Sequence, residues 1–173
     1  AEGATTTYQL EVVGSDRDTR VKVDPDGKTS TQTRTGNVVQ TSFDTGNASK
    51  ITVAPDPRFG MAAPLARRIA VTDTNGKVHS QFTTRTATLT TATDPYSLVT
   101  LTETDQVGSG STTLTYTAAT RTFVRKRTLR DDTLILDTLG RPSSFSIDGF
   151  TATAFAYDAQ GNLTSLTQGA RVR

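Results

Sequence analysis

The sequence has no cysteine, no tryptophan, one histidine and one methionine. Without cysteine there are no disulfides, no thiolate nucleophile and no cysteine-ligated metal. A lone imidazole, His79, leaves a nitrogen-ligated metal site short of donors. A serine–histidine–acid set would have to use His79, which sits in Lys77-Val78-His79-Ser80, and no nucleophile elbow accompanies it; His79 reads as an ordinary strand position. Walker A and dinucleotide-binding signatures are absent too. No apolar run approaches the ~18 residues that a membrane-spanning helix needs, and the N-terminus lacks a signal-peptide pattern. Aromatics make up only 6% and the apolar set 34%, thin for a compact globule. Nor is there an excess of one charge. Nineteen basic residues face 17 acidic ones, for a net +2, too balanced to imply nucleic acid despite a pI of about 9.1. No catalytic set, metal site or cofactor is therefore expected.

What is abundant is threonine, with 36 copies among 173 residues. Threonine is β-branched and suits a pleated surface with one polar face. It recurs in short alternating runs such as residues 111–117 (STTLTYT) and 151–157 (TATAFAY). Leu114/Tyr116 and Phe145/Ile147 alternate with period two. Between the runs stand turn signals at short intervals: 24–27 (DPDG), 35–37 (TGN), 44–47 (DTGN), 73–76 (DTNG), 108–111 (GSGS), 129–132 (LRDD), 137–140 (DTLG), 147–149 (IDG) and 158–161 (DAQG). Asp and Asn cap turns through their side chains, and Gly supplies the positive φ that hairpin turns demand. The pattern predicts an all-β, antiparallel protein of short hairpins.

One stretch breaks the rhythm. Residues 54–68 (APDPRFGMAAPLARR) hold Pro55, Pro57 and Pro64 and the only Met. It reads as an ordered crossover loop rather than a short helix over 62–68, since proline disfavours helix around it. The predicted organisation is an N-terminal strand block over 1–53, the proline-rich loop over 54–68, and a hairpin-repeat block over 69–173.

The turns share a pattern: Asp, two residues, Gly, a basic or amide residue, then an apolar residue or Pro. It occurs as Asp73-x-x-Gly76-Lys77, Asp137-x-x-Gly140-Arg141 and Tyr157-Asp158-x-x-Gly161-Asn162, and Asp24-Pro-Asp-Gly27-Lys28 fits with Thr in the apolar place. Gly140 and Gly161 are 21 residues apart, the length of two strands and two turns, as in a repeated supersecondary unit. These residues resemble the YD-repeat, or RHS-repeat, family, whose unit runs roughly Tyr-Asp-x-x-Gly-Arg-Leu with Thr-rich strands between. Residues 155–169 (FAYDAQGNLTSLTQG) match closely and 136–149 (LDTLGRPSSFSIDG) well, while 115–123 (TYTAATRTF) reads as a worn copy in which Thr117 replaces the Asp. Residues 56–65 (DPRFGMAAPL), followed by a Thr-rich strand, resemble the entry region of bacterial members. The resemblance implies an extended, curved sheet of antiparallel hairpin repeats, and in full-length members a hollow shell around a toxic C-terminal segment. It implies a structural role for Asp73, Gly76, Lys77, Asp137, Gly140, Arg141, Tyr157, Asp158, Gly161 and Asn162.

Other residues carry candidate chemistry. Glu103 and Asp105 lie two apart, on one face of a strand, as a glycosidase pair could. Asp131-Asp132 form a second acidic cluster beside a turn, where local hydrogen bonding favours Asp. Arg121, Arg125, Lys126, Arg127 and Arg130 form the densest basic run and a candidate polyanion patch beside Phe123; the plainer reading is a strand with solvated charges that blunt edge-to-edge aggregation. The reading that follows is a non-enzymatic section of a bacterial secreted or cell-surface repeat protein that encloses or presents an effector. The alternative is an adhesin or polysaccharide-binding sheet. Its partners would be the remainder of a larger polypeptide or a second copy through sheet edges, with a glycan as possible ligand; no nucleic acid and no transmembrane segment are expected.

Overall fold

The computed structural model describes residues 4–172. Every regular element among them is a β-strand, and within each of two compact units, Ala1–Thr83 and Thr84–Arg173, strands pair antiparallel with their neighbours in sequence. The protein is all-β.

The first unit holds β1 (Thr7–Val12), β2 (Arg17–Val23), β3 (Thr29–Thr35), β4 (Val38–Phe43), β5 (Ala48–Asp56), β6 (Gly60–Thr72) and the first part of β7 (Val78–Leu89). Two of its cross-strand rows, one on each face, are largely polar. One runs Arg20–Gln32–Thr41–Ser49–Val71–His79, the other Thr19–Thr33–Gln40–Lys50–Ala70–Ser80. A hydrophobic pattern normally fixes register, because a one-residue slip would turn the apolar set to water. Here a short apolar row, Val39–Ile51–Ile69, resists such a slip, and the short Asp/Gly turns pin the register at the strand ends.

Residues 54–68 form a hairpin, not the crossover loop expected from their prolines. β5 and β6 pair with register shifts at Thr52/Val53 and between Ala54 and Asp56, and neither Pro55 nor Pro64 has a ladder partner. Irregular positions are where a strand tolerates a residue without an N–H. Asp56 closes the hairpin: its Oδ1 accepts the Arg58 N–H at 2.8 Å and the Phe59 N–H at 3.2 Å.

The second unit takes the rest of β7, then β8 (Leu98–Val107), β9 (Gly110–Thr117), β10 (Thr122–Lys126), β11 (Asp132–Leu136), β12 (Pro142–Ile147), β13 (Thr153–Tyr157), β14 (Leu163–Gln168) and β15 (Arg171–Val172). Its two faces differ. One carries the row Leu101–Tyr116–Phe123–Leu134–Phe145 and beside it Glu103–Leu114–Arg125–Asp132–Ile147. The Tyr116 and Phe123 rings lie 4.5 Å apart, tilted by 33°. The other carries Thr100–Thr117–Thr122–Ile135–Ser144 and Thr102–Thr115–Val124–Thr133–Ser146. Thr102 and Thr115 approach to 3.4 Å, Thr104 and Thr113 to 3.2 Å, through their hydroxyls. In this unit threonine thus marks one side of a strand alternation whose other side is largely apolar.

Each unit is one layer thick. Ala70, at 7% exposure, is the only buried apolar residue among those described, and no described side chain is fully buried. A domain usually buries a sheet face against a second layer; here the apolar row of the second unit keeps one side open.

Candidate functional site

The repeat residues build one corner, seen in three copies with the carboxylate accepting loop N–H groups; its backbone closure recurs at Asp24, whose N–H donates to the Lys28 carbonyl at 2.8 Å while the Gly27 N–H donates to the Asp24 carbonyl at 2.8 Å. In the corner at Asp137 its N–H donates to the Arg141 carbonyl at 2.8 Å, and the Gly140 N–H donates to the Asp137 carbonyl at 3.2 Å. Asp137 Oδ1 accepts the N–H groups of Leu139 and Arg141 at 2.8 and 2.9 Å, and Oδ2 accepts Arg141 Nε at 2.7 Å. The corner at Asp158 repeats this: Oδ1 accepts Gln160 N–H at 3.0 Å and Asn162 N–H at 2.8 Å, and Oδ2 accepts Asn162 Nδ2 at 3.0 Å. At Asp73, Oδ1 accepts the N–H groups of Asn75 and Lys77 at 2.8 and 2.9 Å. The glycines of these last two, Gly161 and Gly76, donate to Asp158 and Asp73 carbonyls at 3.1 and 3.0 Å. Gly76, Gly140 and Gly161 have φ of 79°, 79° and 90°, a three-residue hairpin loop with its bulge glycine in the left-handed region. In each case the carboxylate satisfies backbone donors that the tight loop would leave unpaired.

Of the three corner aspartates only Asp158 follows an aromatic, Tyr157. The Arg141 guanidinium, from the preceding copy, lies 4.4 Å above the Tyr157 ring. In this pair of corners the basic residue of one thus stacks on the tyrosine of the next, a cation–π contact. The same pairing of types recurs at Arg68 over Phe82, 5.2 Å, and Arg130 over Phe150, 4.7 Å.

The copy at 115–123 departs from the pattern. Its turn closes between Ala118 and Arg121, whose N–H donates to the Ala118 carbonyl at 3.2 Å, and Thr117 is a ladder residue opposite Thr122. Thr117 therefore does not stand in the Asp place. Arg121, with φ of 52°, is the only described non-glycine residue at positive φ. It is held there by Leu136, whose N–H donates to the Arg121 carbonyl at 3.0 Å and whose carbonyl accepts Arg121 Nε at 3.3 Å.

The basic run does not present five charges to one groove. Arg125 Nε donates to Asp132 Oδ1 at 3.0 Å and its Nη2 to Oδ2 at 2.9 Å, and Arg127 Nη2 also reaches Oδ1, at 2.9 Å. Donation to Asp132 raises the Arg125 guanidinium above its ordinary pKa. Lys126 alternates to the other face of β10, Arg121 sits at the far end of that strand, and Arg130 stacks on Phe150. Of the acids, Asp131 accepts the Arg127 N–H at 3.1 Å, and Glu103 accepts Arg85 Nε at 2.7 Å and pairs with Arg85 Nη2 as well. Glu103 and Asp105 share a face of β8, but Glu103 is committed to a clamp from β7. His79 is exposed on β7 opposite Val71.

Sequence reasoning missed the groups that meet from far along the chain. Arg85 and Glu103 are one such pair. Another is Asp44, which reaches across to Thr29 and accepts both its N–H and its hydroxyl. A third is an open concavity of about 940 Å³ in the second unit, where Val107, Leu129, Ile147 and Phe150 come together beside Arg127, Arg130 and Asp132. A smaller one of about 250 Å³ adjoins it, over Phe123, Leu134 and Phe145. Only the alternation of the strands hinted at this face. Among the described residues no group of three or more His, Asp or Glu could hold a metal ion, and no helix is long and apolar enough to cross a membrane.

Hydrogen bonds to the corner carboxylates have a pH consequence. The Arg141 N–H, followed by its guanidinium, holds Asp137 below the usual carboxylate range. The Asn162 amide and N–H do the same for Asp158, and the Thr29 hydroxyl and N–H for Asp44. A pKa lowered on folding stabilises above the unfolded value, about 3.9 for Asp, and that stability is lost as pH falls through the folded value. The melting temperature should therefore hold from pH 7 to about 5 and fall below about 4. A double variant Asp137→Asn, Asp158→Asn should melt lower at pH 7 with a flatter acid limb. An unchanged acid limb would refute the assignment.

No protein-family profile matches the chain, and no curated protein sequence does.

Proposed function

We propose that this chain is a structural section of a bacterial secreted or cell-surface sheet protein of the YD/RHS type, which encloses or presents an effector and performs no catalysis itself. The observation that carries the reading is the contact between repeats: an Asp-x-x-Gly corner whose Arg141 stacks on the Tyr157 that introduces the next corner. An active site needs its acid once; a stacked sheet needs one such corner per hairpin. One carboxylate from each candidate acidic cluster supports the same reading, because Glu103 is engaged by Arg85, and Asp132 by Arg125 and Arg127. The open apolar row from Leu101 to Phe145 offers a surface for a further layer of the same polypeptide or for cargo.

Under this reading the native polypeptide is larger than 18.5 kDa and carries further Asp-x-x-Gly corners with an effector segment, which intact-mass measurement of the native protein reads directly. One observation favours the alternative, an adhesin or polysaccharide-binding sheet: Phe150, exposed and stacked under Arg130 at the concavity, offers a ring on which a sugar could lie. A native mass of 18.5 kDa together with specific retention on a glycan array, lost in Phe150→Ala, would replace the scaffold with that module.

A further inference from the structure

Among the described residues strand β1 is an edge, and the charge of Glu11 is its one usual protection. Sheets blunt their edges with lysine, proline, bulges or very short strands. β1 has six residues, TYQLEV, pairs with β2 over its whole length without a register shift, and contains neither Lys nor Pro. Among the described residues it pairs with no other strand. Tyr8, Leu10 and Val12 point to one face and are 74%, 64% and 65% exposed. Their only lateral neighbours are Lys22, Arg20 and Asp18 on β2.

The free hydrogen-bonding groups of β1 can be read from its turn. The Val13 N–H donates to the Arg17 carbonyl at 2.9 Å. N–H and C=O groups alternate in direction along an antiparallel strand. The odd-numbered residues therefore bond to β2, and Tyr8, Leu10 and Val12 turn their backbone groups outward. Those same three residues carry the apolar side chains.

We propose that this edge pairs with the β1 edge of a second copy, antiparallel about a two-fold axis at Leu10. In that register Leu10 faces its symmetry mate, and Tyr8 faces Val12 of the other chain on both sides of the axis. Each of the three pairs exchanges two backbone hydrogen bonds, the most that these outward groups can form. Gln9 then stands opposite Glu11, so the strand's single charge meets an amide rather than a like charge. The six apolar side chains form a stripe flanked on each side by Lys22, Arg20 and Asp18, and Lys22 and Asp18 lie at opposite ends of each flank. A two-fold contact of this kind uses one patch twice and closes at two copies. The proposal uses only the geometry of β1 and does not depend on the repeat-sheet reading.

Sedimentation equilibrium on the 173-residue chain tests it with three variants. Leu10→Pro removes an N–H that turns away from β2 and pairs with no strand among the described residues, so the monomer's melting temperature should hold while the dimer disappears. Gln9→Glu places like charges opposite each other twice across the axis and should raise the dissociation constant roughly fivefold at low salt. Gln9→Lys should lower it by a similar factor. A monomer at all concentrations, a dimer indifferent to Leu10→Pro, a species larger than two, or two charge variants that shift the constant in the same direction would each overturn the proposal.

Discussion

Replacing Asp132 with alanine should destabilise the second unit by about 2 kcal/mol, seen as a fall of roughly 5–10 °C in its melting midpoint. Asp132 is 8% exposed and is the shared acceptor of two arginines, bidentate towards Arg125 and single towards Arg127. Removing one partner of a fully buried ion pair costs about 3–5 kcal/mol, because the other charge is stranded away from water. Arg125 and Arg127 are not stranded: their side chains keep 43% and 47% of their exposure and can recover hydration. The cost should therefore fall to that of a few charge-assisted hydrogen bonds. Asp132→Asn, which keeps the size and loses the charge, should cost about half as much. A loss under about 0.5 kcal/mol for Asp132→Ala, the level of an ordinary surface ion pair, would show that the cluster is incidental. The prediction bears on function too, because Asp132 borders both concavities and holds Arg127 in place beside Phe150 and Leu129.

Turn chemistry was the legible part of this protein. Asp-x-x-Gly at 73–76, 137–140 and 158–161 specifies a corner locally, through a carboxylate two to four residues from the N–H groups it accepts. Strand identity was legible where Thr alternates with Leu, Tyr or Phe, as in 111–117, since that alternation becomes the two faces of β9. Where the reading failed, nonlocal geometry decided. Proline argued against regular structure at 54–68, but Pro55 and Pro64 occupy positions that the ladder skips, which no local rule places in advance. At 115–123 the motif was set one residue early, because Arg121 takes the left-handed conformation that a glycine would normally mark. The candidate site was less legible than the fold. Arg85 meets Glu103 from 18 residues away and Thr29 meets Asp44 from 15, separations fixed by strand register. The basic run showed its charges but not its acceptor, Asp132, which engages two of the five, Arg125 and Arg127.

A substitution at Gly161 separates the structural reading of the corner from a ligand-binding one. Gly161 has φ of 90°, where a β-branched residue places its Cβ against its own backbone, so Gly161→Val should cost about 1–3 kcal/mol. Space is not the difficulty: the nearest atom to an added Cβ is Arg141 Nη1 at 3.5 Å, ordinary contact. The strain would be backbone strain, and Gly161→Asn, whose side chain tolerates the left-handed region, should recover much of it. Relaxing the corner moves Asp158 relative to its Gln160 and Asn162 donors and shifts Tyr157 beneath Arg141. The Arg141→Ala penalty should then be smaller in the Gly161→Val background than in the parent, the non-additivity expected of groups that share a contact. A structural corner predicts that thermal stability falls while any binding activity of the folded protein survives. Loss of a ligand at an unchanged melting temperature would instead make the tyrosine–aspartate corner a recognition site.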